Sequence, residues 1–253
     1  MTVKELYDYL SGRIPAELSC EWDNDGLMCC PKAEREVKRV LVTLDISNEA
    51  VKMAMKNGCD VILSHHPLVF RPIKALTTDN GVQAKLIKLV QNGISAMSFH
   101  TRLDVLPGGV NDALSDKLGL KDVEPFGEDG VMMGRVGYVN ENTLENFAEF
   151  VKNVLGAPVV FYNGELIVQK VAVVGGSGGG FISAAKKCGA DTMVTGTIGY
   201  HDLADAKENG INLVEAGHYF TEAPVVDYLA DMVKDADENI ELYFFDSNNI
   251  KSV

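Results

Sequence analysis

The chain has 253 residues, enough for one large domain or two ordinary ones with a substantial buried core. Hydrophobic residues make up 46% of the sequence and charged residues 23%, which is typical of globular proteins and argues against disorder. The formal net charge is −13. Because duplex-binding proteins present a basic face, this charge argues against nucleic acid as a general partner.

Membrane and secretion signals are not found in the sequence. No run of about eighteen apolar residues occurs, so no membrane-spanning helix is predicted. Residues 1–15 are typical of an amphipathic helix and lack the basic start and apolar middle of a signal peptide. The 5 cysteines lack Cys-x-x-Cys spacing, which favours reduced thiols over a disulfide framework. Together these features predict a cytoplasmic protein.

Residues 37–66 and 168–197 share one order of elements, which indicates two similar halves. Each segment runs from a Val-rich strand through a helix and a Gly-x-Asp turn to a second strand. Strands that alternate with helices form mostly parallel sheets with helices packed on their faces. The predicted fold class is therefore α/β, with two similar three-layer α/β/α domains.

Each half continues with a helix that ends in Asn-Gly and with a third strand, in residues 92–104 and 209–222. A crossover joins the halves, and a helix with Thr143 as its N-cap follows. A last helix near 222–234 and a strand close the chain. The predicted domains are 1–125 and 126–253. The segment from about residue 214 either packs with the second domain or returns to the first, and the sequence leaves both alternatives open.

Every histidine falls at or just beyond the C-terminal end of a predicted strand: His65, His66, His100, His201 and His218. That edge of a parallel α/β sheet is where ligands bind, because loops and helix N-termini converge there. A single histidine at such a place usually only forms a hydrogen bond, but a full set at matching strand ends favours metal binding. Asp104 and Glu222 each follow a histidine by four positions, an offset that places both side chains on one face of a helical turn.

The ligand chemistry indicates the kind of metal. Three imidazoles and two carboxylates without a thiolate favour zinc, iron(II) or manganese. Five such ligands are too many for one tetrahedral zinc and suit two ions about 3.5–4 Å apart. The pattern therefore predicts a site for two divalent metal ions.

Six segments of the chain resemble, in content and order, the YbgI-like family: Trp22–Leu27 (WDNDGL), Ser64–Phe70 (SHHPLVF), His100–Asp104 (HTRLD), Gly175–Gly180 (GGSGGG), Thr195–His201 (TGTIGYH) and Gly217–Glu222 (GHYFTE). The resemblance covers essentially the whole chain. Members of this family are often named GTP cyclohydrolase type-two homologues or dinuclear metal-binding proteins. The resemblance implies two α/β domains with a dinuclear metal site in the cleft between them, and a homo-oligomer that forms a hexameric ring.

The resemblance also implies a ligand set, with Glu222 as the best candidate for a bridging carboxylate. The implied ligands are His65, His66, Asp104, His218 and Glu222. Thr197 stands where the family commonly has an acidic residue, and Arg102 stands where asparagine or a small residue is common. Neither position is an implied ligand, so both are expected to change the pocket rather than the metal site.

His100 and His201 are then the histidines without an assigned role. We hypothesise that both line the pocket as catalytic residues, with His201 a candidate proton donor or acceptor, because an imidazole titrates near neutral pH. The alternative is that they orient a ligand by hydrogen bonding. The two interpretations have equal support from the sequence.

Two further motifs carry weaker interpretations. The Gly-rich segment Gly175–Gly180 lacks the dinucleotide fingerprint, since Phe181 stands at the last glycine position, and it also lacks the P-loop Lys-Ser/Thr. It is either a phosphate-holding turn or a plain tight turn. The segment Trp22–Leu27 is interpreted as a structural turn in which Trp22 caps a core, rather than as a substrate platform.

Two classes of function stay open. The first is a metal-dependent hydrolase of a small molecule such as a nucleotide or phosphoester, because paired cations activate a bound water. The family name points to opening of the purine ring of GTP, although the acidic chain shows few obvious cations for a triphosphate. The second is a non-catalytic, ring-forming protein that binds metal, delivers it or assists assembly. A dinucleotide-dependent oxidoreductase is disfavoured by the missing fingerprint.

Overall fold

The computed structural model describes residues 1–79, 81–128 and 130–251. The chain has a mixed α/β fold with two sheets in which helices alternate with strands, as predicted. Among the described residues, one compact unit comprises 1–106 and 225–249, and the other comprises 107–224 with 250 and 251. The first unit is divided from the second after Leu106, and the next helix packs on strands of the second sheet. Among the described residues, no helix is long and apolar enough to cross a membrane.

The first unit is built on a sheet with the order β1-β4-β3-β2-β11. Its strands are β1 (Gly26–Cys29), β2 (Arg39–Thr43), β3 (Val61–Ser64), β4 (Ser95–Ser98) and β11 (Glu241–Phe245). β1 is antiparallel to β4, whereas β2, β3, β4 and β11 run parallel. The last strand of the chain thus returns to the first sheet beside β2.

Helices cover this sheet: α1 (Val3–Arg13), α2 (Asn48–Asn57), α3 (Gly81–Asn92), α4 (Thr101–Val105) and α10 (Val225–Ala236). The N-terminal amphipathic helix is confirmed, since α1 buries Val3, Leu6 and Leu10. All four residues of β3 and of β4 are buried. Burial of apolar strands between helices is the main stabilising contribution in such a layer.

The second unit is built on a sheet with the order β5-β6-β8-β9-β10-β7, in which β8, β9 and β10 run parallel. Its strands are β5 (Lys121–Glu128), β6 (Val131–Asn142), β7 (Phe161–Asn163), β8 (Val168–Ser177), β9 (Thr192–Thr197) and β10 (Asn212–Glu215). Its helices are α5 (Val110–Lys117), α6 (Leu144–Leu155), α7 (Ile182–Lys187), α8 (Tyr200–Ala204) and α9 (His218–Glu222). The predicted N-cap of α6 is confirmed, because the Thr143 hydroxyl accepts a hydrogen bond from the Asn146 amide at 3.4 Å.

The repeat between the halves extends to their hydrogen bonds. Asp60 follows α2, and its Oδ2 accepts from the backbone amides of residues 38 and 39 at 2.8 and 3.0 Å. Asp191 follows α7, and its Oδ2 accepts from the amides of residues 169 and 170 at 3.0 and 2.6 Å. In both units the aspartate of the Gly-x-Asp turn therefore holds the start of the neighbouring parallel strand.

Candidate metal centre

Two neighbouring strands of the first sheet end together and bring three histidines side by side. Ser64 at the end of β3 is in register with Ser98 at the end of β4, and their hydroxyls lie 2.9 Å apart. His65 and His66 follow β3 directly, and His100 follows β4. The ring centroids of these histidines are 4.9, 5.2 and 5.6 Å apart. One ring nitrogen of each lies within 4.8 Å of the others, which is suitable for holding a metal ion.

Each of these imidazoles has its Nδ1 atom held by an oxygen of the protein. The pairs are His65 with the Phe99 carbonyl oxygen at 2.9 Å, His66 with Asp45 Oδ1 at 2.8 Å and His100 with Asp23 Oδ1 at 2.9 Å. A carbonyl oxygen only accepts, so Nδ1 of His65 is the donor, and in the neutral ring Nε2 then carries the lone pair. A carboxylate or carbonyl at the second ring nitrogen is the usual support of a metal-binding histidine. The three rings therefore share the arrangement of metal ligands.

Asp23 is fixed by its neighbours as an ionised carboxylate. Burial by itself would raise the pKa of Asp23, but hydrogen bonds from His100 and Thr101 outweigh it and hold that pKa well below its ordinary value. The Thr101 hydroxyl and backbone amide donate to Asp23 Oδ2 at 2.6 and 3.1 Å. A carboxylate held in this way orients the His100 ring.

Asp104 reaches the same group from α4, which begins immediately after His100. Its Oδ1 lies 3.6 Å from Nε2 of the buried His65. Two ligand atoms on one tetrahedral zinc are expected to lie about 3.4 Å apart, given metal–ligand distances of about 2.1 Å. The structure therefore places Asp104 and His65 where one cation can contact both, and it confirms the predicted helical turn.

Within the second unit, α9 carries His218 and Glu222, and it is the other predicted helical turn. His218 Nε2 lies 3.1 Å from Glu222 Oε2. Glu222 is only 4% exposed. A buried carboxylate needs a partner of opposite charge, since transfer of an ionised group out of water is costly. The pair has the spacing and the chemistry of two metal ligands.

The Gly-rich segment holds α9 in place. The amide of Gly176 donates to Thr221 Oγ1 at 3.1 Å, and the amide of Gly175 donates to Asn111 Oδ1 at 2.7 Å. A Cβ atom on Gly176 would lie 2.1 Å from Glu222 Oε1. These contacts favour the tight-turn interpretation over a phosphate-binding turn, because both amides already donate within the protein.

Arg102 stabilises the segment of the chain that carries His100. It is 1% exposed, and its Nε donates to Asp25 Oδ2 at 2.9 Å. The backbone amide of His100 donates to the same Asp25 oxygen at 3.0 Å. The guanidinium also lies 4.6 Å from the Phe99 ring centroid. Arg102 therefore fixes the segment between β4 and α4.

Thr197, the other departure from the family pattern, has its hydroxyl 3.0 Å from that of Ser177.

Trp22 does not cap a core, so that interpretation is wrong. Its side chain is 63% exposed, and its ring meets those of Phe70 and His100 edge-on at 6.2 Å. His201 lies on α8 with an exposed side chain, beside the exposed Tyr200. The catalytic roles of His201 and His100 both stay predictions, and His100 also lies within a group of candidate ligands.

Asp23 and Asp45 are the functional residues that the sequence analysis missed. Asp45 follows β2, and the histidines follow β3 and β4, so the same strand-end rule would have identified it. Asp23 offers no such signal, because it lies 77 residues before His100 in an irregular segment. Its role depends on tertiary pairing.

Comparisons with known proteins identify the family of the chain. The model of the Duf34/NIF3 (NGG1p interacting factor 3) family matches residues 1–250. The chain belongs to the Duf34/NIF3 family. A Clostridium perfringens protein named GTP cyclohydrolase 1 type 2 homolog is 34% identical over 249 residues, 95% of this chain and 95% of the relative.

Solved structures show the same fold. Staphylococcus aureus protein SA1388 is 28% identical with a TM-score of 0.90, over 100% of this chain and 99% of that chain. A protein titled ybgI, of unknown function, is 22% identical with a TM-score of 0.86, over 98% of this chain and 99% of that chain. The predicted resemblance to YbgI-like proteins is confirmed. This Duf34/NIF3 chain therefore carries candidate metal-binding groups of histidine and carboxylate side chains.

Proposed function

We propose that this Duf34/NIF3 protein binds two divalent metal ions and is a metal-dependent hydrolase. The candidate metals are zinc, iron and manganese. The proposed ligands are His65, His66, Asp104, His218 and Glu222. The observation that carries the proposal concerns three of these side chains: Asp104 Oδ1 lies 3.6 Å from Nε2 of His65, and the Nδ1 atoms of His65 and His66 are held by protein oxygens. Such support fixes the ring and directs Nε2 to a cation. The name shared by its relatives adds the expectation of a hydrolytic reaction.

The chemistry follows from the donor set. Paired divalent cations, when bound, lower the pKa of a coordinated water and polarise the bond under attack. The protein supplies orientation: Asp45 holds the His66 ring, and Asp23 holds the His100 ring. We propose that His100 and His201 contact the substrate or transfer a proton. The substrate class is a nucleotide or a phosphoester.

Metal analysis tests the centre. We expect the wild-type protein to hold close to two ions per chain, measured by elemental analysis of untagged protein. Glu222→Ala is expected to lose at least one ion, because a bridging carboxylate would serve both. Glu149→Ala, an exposed carboxylate on α6, is the matched control and is expected to retain both. A wild type without bound metal after loading would contradict the proposal.

Turnover tests the enzyme. Purified protein loaded with zinc, iron(II) or manganese is assayed against nucleotides, including GTP, and against phosphoesters. Hydrolysis that disappears with a chelator and returns with metal is expected. Two bound ions without turnover on any substrate would instead favour the alternative, a non-catalytic protein that stores or delivers metal or assists assembly.

Single substitutions of His100 and His201 separate the two roles that the sequence left open. If His201→Ala abolishes turnover but retains metal, the side chain acts on the substrate. If His100→Ala loses metal, the ring is a ligand or orients one. A Gln substitution at each position keeps a hydrogen-bonding side chain but removes the imidazole. Comparison of the Gln and Ala variants therefore distinguishes loss of imidazole chemistry from loss of the side chain as a whole.

We further propose a homohexameric ring in the cytoplasm. The family resemblance supports the ring, and the free cysteines suit a reducing compartment. Light scattering of the purified protein is expected to give six times the chain mass of 27.4 kDa. A monomer at micromolar concentration would contradict the ring.

A further inference from the structure

A cavity in the first unit opens beside the candidate ligand His66. Its volume is about 710 Å³, within the range of small-molecule sites. Three segments line it: the connection from β2 to α2, residues 66–74 after β3, and the first turns of α3. We call it the cationic pocket, after Arg71, Lys74 and Lys85 in its lining.

The charge of the cationic pocket is opposite to that of the chain. The whole sequence has a net charge of −13, yet three basic side chains line this one cavity. Asp45 is the one carboxylate among the described residues that line it, and both of its oxygens are engaged, Oδ1 by His66 at 2.8 Å and Oδ2 by the Ser247 hydroxyl at 3.0 Å. The lining therefore carries three basic side chains and one carboxylate, which is an excess of positive charge.

The three cations differ in how they are held. Lys85 is half-buried, and its ammonium donates to the Ile46 carbonyl at 2.6 Å, so one cation has a fixed position. Burial lowers the pKa of Lys85, although Asp45 and Glu49 oppose that shift. Arg71 and Lys74 are exposed, and neither forms a hydrogen bond or ion pair with another part of the described chain. Their donors are available to a ligand.

The remaining lining is apolar and aromatic. Ile46 and Leu68 are buried in the floor, and Phe70 is 43% exposed at the rim. The Phe70 ring lies 6.2 Å from that of the exposed Trp22 and 6.3 Å from that of His100. An apolar cavity with a few convergent polar groups is the usual form of a small-molecule site.

We propose that the basic side chains of the cationic pocket hold the phosphate group of a small-molecule substrate beside the metal ligand His66. This inference rests on the proposed metal centre and assigns the side chains that hold the phosphate of its substrate. Guanidinium and ammonium groups form charge-assisted hydrogen bonds with phosphate oxygens, and the planar guanidinium matches them in a bidentate manner. The fold thus brings three basic side chains together beside His66, which the sequence did not indicate.

Equilibrium dialysis with pyrophosphate, GTP and uncharged guanosine tests the proposal. The double variant Arg71→Ala/Lys74→Ala removes two exposed cations, and circular dichroism checks that it folds. The matched control is Lys52→Ala/Lys56→Ala, which removes two exposed cations from α2 outside the cavity. We expect the first variant to bind pyrophosphate and GTP at least about tenfold more weakly than wild type, whereas the control is unchanged. Guanosine should bind more weakly than GTP to wild type, and added salt should reduce the difference.

Equal affinities of the two double variants for pyrophosphate and GTP would overturn the proposal, as would guanosine binding as tightly as GTP. Metal analysis on the same samples separates this outcome from failure of the metal centre. If the centre is correct, the Arg71→Ala/Lys74→Ala variant keeps the wild-type metal content. Because the cations belong to the protein, chelated protein should preserve the difference between the variants.

Discussion

Gly176→Ala is expected to weaken metal binding. Its free energy of unfolding should fall by little more than the cost of the strained backbone at this position. Gly176 has φ +64°, a left-handed conformation that costs a residue with a Cβ roughly 1–2 kcal/mol. Its Cβ would lie 2.1 Å from Glu222 Oε1, so that oxygen must move by at least about 1.3 Å to regain ordinary contact. The carboxylate is the end of a flexible side chain and can yield at small cost to folding. A metal site tolerates a displacement of only about 0.5 Å.

Gly210→Ala is the matched control. Gly210 has φ +63°, nearly the same backbone conformation, and a Cβ there meets nothing within 4 Å. Chemical denaturation of metal-free protein should therefore give similar losses of unfolding free energy, roughly 1–2 kcal/mol, for both variants. Competition with a metal chelator should show an affinity at least about tenfold lower for Gly176→Ala alone. Equal metal affinities of the two variants would refute the role given to Glu222.

Three further predictions concern stability and reactivity. Arg102→Met is expected to lower the free energy of unfolding by roughly 3–5 kcal/mol in urea, because it leaves the Asp25 carboxylate, 5% exposed, without its cation; a change below about 1 kcal/mol would contradict this. Thr143→Ala removes the N-cap hydroxyl of α6 and should cost about 1 kcal/mol by calorimetry. Burial raises the pKa of Cys29 and of Cys59 to about 11. Iodoacetamide at pH 8 should therefore label these two thiols much more slowly in folded than in urea-unfolded protein, and equal rates would contradict that burial.

Local elements and the candidate ligands were predictable from the sequence alone. The cap at Thr143, the four-residue offset in α9 and the histidines at strand ends were all readable, because each depends on neighbours along the chain. The repeat that relates residues 37–66 to residues 168–197 is also structural, since Asp60 and Asp191 make equivalent hydrogen bonds. Periodicity and capping are local properties, so a pattern can report them.

Only the tertiary structure decided which side chains support the candidate ligands. The hydrogen bond from His100 to Asp23 spans 77 residues, and the pairing of β11 with β2 spans about 200. The exposure of Trp22 and the convergence of cations beside His66 have the same origin. The order of parallel strands in a sheet sets these contacts, and buried strands of similar composition do not encode their neighbours. Side chains that meet only at the edge of the sheet are therefore identified from the fold and not from the sequence pattern.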